Sequence, residues 1–238
     1  FLPAGRVLAG AGTGRKVTLI NTFVMRTIPD SIEGICDTLK DAAVTMKMGG
    51  GIGFDFSTIR PRGTRVAGLD CPAAGPLRAM DVCDAMCRML VEGSGRGAMM
   101  GALRIDHPDI EDFIDAKADR TRLRNFNVSV LVTDAFMAAL EADEDWPLIW
   151  QGETVRTVKA RALWQRIMER TYAGAEPGVL FIDRMNALNP MAYAETISAT
   201  NSCAEQPLPP NGNCPLGAVN LARLVRNPFE ADAMMDLD

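Results

Sequence analysis

The stretch AMMGALRIDHPDIEDFIDAK, residues 98–117, changes its periodicity midway, and NFNVSVLVTDAFMAALEAD, residues 125–143, does so again. AMMGALRI is an apolar run of strand length, and DHPDIEDFIDAK reads as a short acidic helix. NFNVSVLV returns to strand and TDAFMAALEAD to helix. Outward from this unit the alternation continues. Upstream, VTLINTFVM reads as a strand, and a helix follows from Asp30, with Ile32, Ile35, Cys36, Leu39 and Ala43 at helical spacing. Asp30 with Glu33 forms a capping-box-like start. GGGIGFDFS, residues 49–57, is glycine followed by a short alternating strand. The Gly-, Pro- and Arg-rich IRPRGTRVAGLDCPAAGPL is a loop, and a second helix covers about 78–92. Downstream, an exposed segment precedes the helix ARALWQRIMERTYAG and the strand GVLFI. Strand and helix alternate without repeats or an internal boundary. That order predicts an α/β sheet or barrel with reactive residues on loops at strand ends.

Composition narrows the function. At 238 residues, 47% hydrophobic and 23% charged, the chain can bury one large core, or part of a larger one. A net charge of −5 argues against a general nucleic-acid or membrane-surface binder, so a small-molecule substrate is expected. No stretch has the length and apolarity of a membrane span. Six cysteines in so long a chain do not make a disulfide scaffold, which implies reduced thiols and a cytoplasmic location. The chain opens on Phe1 and stops in ADAMMDLD, as expected of a fragment.

One long segment, from 186 to about 215, exceeds what a connection needs, and it contains TNSCAEQPLPP, residues 200–210. In extended backbone, Asn201, Cys203 and Glu205 would point together at one spot, while the prolines resist helix. The functional reading makes Cys203 a nucleophile or radical carrier; the plain one is a loop with a structural cysteine. A thiolate nucleophile wants a histidine, and the single His107 opens a distant acidic helix, so a cysteine hydrolase is disfavoured. Cys214 follows eleven positions after Cys203, as a second thiol for exchange or as a small buried hydrophobe. Cys83 and Cys87 share a helix face but lack a complementary His or Cys pair, so core packing is expected there and no metal site. The glycines at 49–53 let a ligand approach the backbone, yet they match neither a phosphate loop nor a dinucleotide fingerprint. EGSGRG, residues 92–97, is a flexible loop carrying Arg96, or simply a surface turn. Asn127-Val-Ser129 matches a glycosylation acceptor but lies inside an apolar strand and is discounted.

The runs GGGIGFDFSTIRPRG, GAMMGALRIDHPDIEDFI, FNVSVLVTDAFM, GVLFIDRMNALN and ATNSCAEQPLPPNGNCPLGAVNLARLV resemble the catalytic subunit of ribonucleotide reductases, most closely the adenosylcobalamin-dependent class. The resemblance covers nearly the whole chain. It implies about the first half of a ten-stranded α/β barrel, with the reactive cysteine on a central loop and residues 1–238 forming a single partial catalytic domain. It also implies reduction of ribonucleotides to deoxyribonucleotides, with adenosylcobalamin generating a thiyl radical on Cys203 that takes hydrogen from ribose C3′. Glu205 would act as general base for the 3′-hydroxyl, Asn201 would hydrogen-bond the ribose, and Cys214 would belong to a reducing dithiol. Asn21, Thr22, Gly51, Ser202 and Ala204 would line the substrate site. Asp30 and Arg60 would lie near a regulatory nucleotide site at a homodimer interface, and Arg96 on the loop relaying effector identity. A ribonucleotide substrate, a nucleotide effector and a thioredoxin-like or dithiol reductant are the implied partners.

The chain also departs from that family. Thr22 stands where a cysteine would pair with Cys214, although the two side chains are still expected to face each other on adjacent strands. NSCAE replaces an NPCGE-like core at Ser202 and Ala204, and Gly95 replaces a basic residue. Two other readings follow: a degenerate or truncated nucleotide-binding homologue without turnover, or a catalytic chain whose radical comes from a separate metal-containing subunit.

Overall fold

Alternating side chains decide which face of each strand meets the helices. The computed structural model describes residues 1–66, 68, 71–94 and 97–236. A short strand β1 (Leu2–Pro3) and helical turn α1 (Gly5–Gly10) lead to β2 (Thr22–Val24), α2 (Ile32–Lys47), β3 (Gly51–Asp55) and α3 (Pro76–Ser94). Then come β4 (Met99–Arg104), α4 (Ile110–Ile114), β5 (Phe126–Val132) and α5 (Asp134–Glu141). The pair β6 (Asp145–Trp150) and β7 (Glu153–Lys159) precedes α6 (Ala160–Gly174), β8 (Gly178–Phe181) and α7 (Ile182–Ala187). Two-residue strands follow: β9 (Ala199–Thr200), β10 (Pro207–Leu208), β11 (Asn213–Cys214) and β12 (Gly217–Ala218). The last pair is β13 (Val225–Arg226) with β14 (Met234–Met235).

One six-stranded sheet organises the rest, in the order β11-β2-β3-β4-β5-β8. β2, β3, β4, β5 and β8 pair in parallel, and β11 closes one edge antiparallel to β2. Ile52, Phe54, Met99, Leu103, Phe126, Val128 and Val130 point to one face and form a single core with residues of α2 to α6. The opposite face has no such cover. It carries a small cluster of Ala102, Leu131 and Leu180, against which Ile182, Met185 and Ala204 pack. Helices on one face of a curled parallel sheet, and a loop-bearing interior on the other, are half of an α/β barrel, as the sequence implied.

Three local readings change. Ser31, not Asp30, caps α2, its side chain accepting a hydrogen bond from the Gly34 N–H at 3.0 Å. Asp30 is occupied instead by Arg60. The strand read over VTLINTFVM shrinks to Thr22–Val24. The segment taken only as exposed is the β6–β7 hairpin, turned at Gln151 and Gly152, both at positive φ.

Candidate active site

The inner face of β3 is built from what it lacks. Gly51, Gly53 and Asp55 alternate with core residues and so face the barrel interior. A Cβ on Gly53 would lie 1.9 Å from the Thr200 carbonyl oxygen, and one on Gly51 would lie 2.7 Å from Ser202 Oγ. The glycines were read as room for a ligand. At Gly53 that room is taken by the backbone of the chain's own β9–β10 hairpin.

This hairpin carries the sequence TNSCAEQPLPP. β9 and β10 pair antiparallel, with Thr200 opposite Pro207. Between them the Ala204 N–H donates to the Asn201 carbonyl at 3.2 Å, and the Asn201 N–H to that of Gln206 at 3.1 Å. Asn201 Oδ1 accepts from the Gln206 N–H at 3.0 Å, so its amide braces the loop from within. The extended arrangement expected for residues 201–205 is therefore incorrect. The backbone turns, with Ala204 at φ +70°, a left-handed conformation that costs a non-glycine residue about 1 kcal/mol. Asn201 and Ser202 are buried, whereas Cys203 and Glu205 are exposed at the tip. Asn127, on the inner face of β5, donates from Nδ2 to the Ser202 carbonyl at 2.8 Å. Asn186 fixes the base, accepting from the Ile197 N–H at 2.8 Å and donating to its carbonyl at 3.0 Å. Sequence reading missed the role of both asparagines; Asn127 drew notice only within a discounted glycosylation match on a largely apolar strand.

Thr22 and Cys214 are direct partners across β2 and β11. Directly opposed residues of an antiparallel pair have Cα atoms roughly 4.5–5.5 Å apart, within the span of a disulfide. Both are buried, and Cys214 Sγ donates a weak hydrogen bond to the Pro215 carbonyl at 3.9 Å. Thr22 also adjoins Gly51 in register, and the Gly51 N–H donates to the Asn21 carbonyl at 2.9 Å. Three atoms of this neighbourhood, Asn21 Oδ1, Thr22 Oγ1 and Asn201 Nδ2, are buried without a hydrogen-bond partner among the described residues. Such groups cost about 1–3 kcal/mol each when unsatisfied, so the arrangement fits a polar ligand.

Elsewhere the structure is less reactive. Asp55 is half-buried; desolvation raises its pKa, exceeding the lowering effects of the Ser57 hydrogen bonds and of Arg104. His107 is buried, and desolvation lowers its pKa. Its Nδ1 accepts from the Asp109 N–H, which leaves Nε2 to donate to the Ile59 carbonyl at 3.0 Å, a structural role. Burial pushes the Cys83 thiol up to about 12 and Cys87 to about 11, so both stay protonated in the core. No group of residues able to hold a metal ion occurs among the described residues. Asp30 and Arg60 bind each other: Arg60 Nε donates to Asp30 Oδ2 at 2.8 Å and its backbone N–H to Oδ1 at 3.0 Å. Arg96 lies outside the described residues.

Fold and site together define a parallel half-barrel whose interior hairpin presents a thiol. The chain belongs to the family described as ribonucleotide reductase, barrel domain, which it matches over residues 20–237. It is 38% identical over 229 residues to a vitamin B12-dependent ribonucleoside-diphosphate reductase of Thermoplasma acidophilum, covering 94% of this chain and 30% of that protein. It is 39% identical over 242 residues to one of the same description from Mycobacterium tuberculosis, covering 100% of this chain and 34% of that protein. The chain thus spans about a third of the length of these relatives. Among solved structures, the Actinobacillus ureae class Id ribonucleotide reductase alpha subunit superposes with a TM-score of 0.70 at 24% identity. That match covers 88% of this chain and 36% of the other, and it supports the fold.

Proposed function

We propose that this chain is the cysteine-bearing half-barrel of an enzyme that reduces ribonucleotides to deoxyribonucleotides. One observation carries the reading: the unpartnered Asn21 Oδ1, Thr22 Oγ1 and Asn201 Nδ2 lie in a buried neighbourhood next to an exposed thiol. Ribose hydroxyls would satisfy those atoms. Cys203, as a thiyl, would take the hydrogen from C3′, and the exposed Glu205 would receive the 3′-hydroxyl proton. An S–H bond and a C–H bond beside oxygen are similar in strength, so the transfer is reversible. Loss of the 2′-hydroxyl as water consumes two electrons and two protons, which a dithiol supplies on becoming a disulfide.

Adenosylcobalamin, the cofactor suggested by the names of both relatives, would supply the oxidising equivalent for Cys203 by homolysis of its cobalt–carbon bond. An exposed Cys203 fits that role. The exposed Ile32 and Val44 of α2 and Val82 and Met89 of α3 support a homodimer along these helices. We place the nucleotide effector near Asp30 and Arg60 on the resemblance alone, and the protein in the cytoplasm. Among the described residues no helix is long and apolar enough to cross a membrane.

Thr22 opposite Cys214 favours a second reading, a nucleotide binder without multiple turnover. The full-length protein, supplied with adenosylcobalamin, ribonucleotide and dithiol, distinguishes the two by its deoxyribonucleotide yield. Cys203→Ser is expected to abolish both product and nucleotide-dependent cobalt–carbon cleavage. Cys214→Ser is expected to keep the cleavage and lose the product. Identical cobalamin spectra in the two variants would refute this division of roles.

A further inference from the structure

We infer that Asn127 is a positioning residue for the Cys203 thiol, an inference that rests on the proposed reading of Cys203 as the reactive group. Residues 201–204 form a β-turn closed by the Ala204 N–H on the Asn201 carbonyl, so its central peptide is the one joining Ser202 to Cys203. Turn types I and II differ by rotation of that central peptide through roughly half a turn. Cys203 is not among the residues at positive φ, which places the turn in the type I family. The carbonyl that would swing in such a rotation is that of Ser202, and it accepts the hydrogen bond from Asn127 Nδ2 at 2.8 Å. Because a peptide unit is planar, holding the Ser202 carbonyl also fixes the Cys203 N–H and Cα. The direction in which the thiol leaves the loop is then set by a side chain seventy-five positions away in sequence.

The geometry of β5 explains why this position can do so. Phe126 and Val128, on either side of Asn127, are buried in the helix-covered core, so the side chain between them faces the barrel interior. Its partner is a carbonyl, which identifies the donating end of the amide as Nδ2. Ser202, unlike a proline, leaves its own φ free, so it does not preset the turn. Asn127 is itself exposed, and removing its amide leaves the carbonyl of the buried Ser202 without that donor, so the destabilisation is expected in the hairpin rather than in the sheet.

The test uses the full-length protein with Asn127→Ala and Asn127→Asp. In Asn127→Ala, kcat should fall by on the order of a hundredfold, as expected of a misplaced reacting atom, while KM moves less than about twofold. Site-resolved alkylation by iodoacetamide should change at Cys203 by about fivefold, matching the loss of one net hydrogen bond, and stay unchanged at the exposed Cys71. Asn127→Asp should resemble the alanine variant at neutral pH and recover as the pH falls, because a protonated carboxyl can donate to the Ser202 carbonyl. Alanine should show no such recovery. If Asn127→Ala leaves both kcat and Cys203 alkylation within about twofold of the native protein, the inference is overturned. An Asn127→Asp variant that folds but does not recover at low pH overturns it too, and decides the matter if the alanine variant fails to fold. If the native protein reduces no ribonucleotide, the functional reading falls, while the alkylation comparison still decides the positioning role.

Discussion

Replacing Gly53 with alanine places a methyl group where the β9–β10 hairpin now lies. The new Cβ would be 1.9 Å from the Thr200 carbonyl oxygen and 3.1 Å from its carbon, whereas ordinary contacts begin at 3.4 Å. The obstructing atoms are backbone on both sides, in a central strand and in a hairpin, so no rotamer change relieves the clash. The hairpin must retreat by about 1.5 Å, far enough to break the 2.8 Å bond between Asn127 and the Ser202 carbonyl. Overpacking of this kind costs about 1–3 kcal/mol, and a lost hydrogen bond adds about 1. The unfolded chain loses some freedom with alanine, which returns about 0.4–1 kcal/mol. A net local loss of about 2 kcal/mol corresponds to a local opening constant roughly thirtyfold larger. Hydrogen exchange of peptides covering residues 199–208 in the full-length protein measures that constant directly. Gly174→Ala is the control, since a Cβ there meets nothing within 4 Å. Unchanged exchange in Gly53→Ala, with activity retained, would refute the reasoning that the hairpin's seat depends on a missing side chain.

Thr22→Cys should raise multiple-turnover activity with a dithiol reductant and leave folding nearly unchanged, the swap being close to isosteric. Full activity of the native protein, or no S–S bond between residues 22 and 214 in the oxidised variant, would show the reducing pair to be misplaced. Asp55 has its pKa raised above the ordinary 3.8, chiefly by desolvation, so its stabilising contribution is complete below that value and lost as pH climbs through the raised one. Asp55→Asn should therefore remove part of the decline in stability as pH climbs above about 4, and a steeper decline in the variant would count against it.

The alternation of strand and helix was legible where elements keep their own period, as with Ile52 and Phe54 on one side of β3. The α2 stripe was only half right: Ile32 and Cys36 are exposed, whereas Thr38, Ala42 and Met46 are buried. The β6–β7 hairpin was missed although Gln151-Gly152 is a turn signal between alternating strands. The 201–205 loop was misread for a deeper reason. Its turn depends on Ala204 adopting a left-handed conformation that alanine does not announce, and on supports at Gly53, Asn127 and Asn186 far away in sequence. Asp30 and Ser31 compete for the same cap, and only the contact with Arg60 decides between them. The pairing of Thr22 with Cys214 rests on a two-residue strand, too short for any periodicity to reveal.

The supports of the hairpin also bear on when the thiol comes into place. Strand β3 must exist before Thr200 has a groove to enter, and β5 must be in register before Asn127 can reach the Ser202 carbonyl, seventy-five positions on. Closing contacts of such long sequence separation is slow, because loop entropy is lost before the contact is gained. The turn that carries Cys203 is therefore expected among the last parts of the chain to assemble. By the same logic it is among the first to be lost in denaturant, so the loss of a positioned Cys203 should precede the collapse of the sheet that holds it.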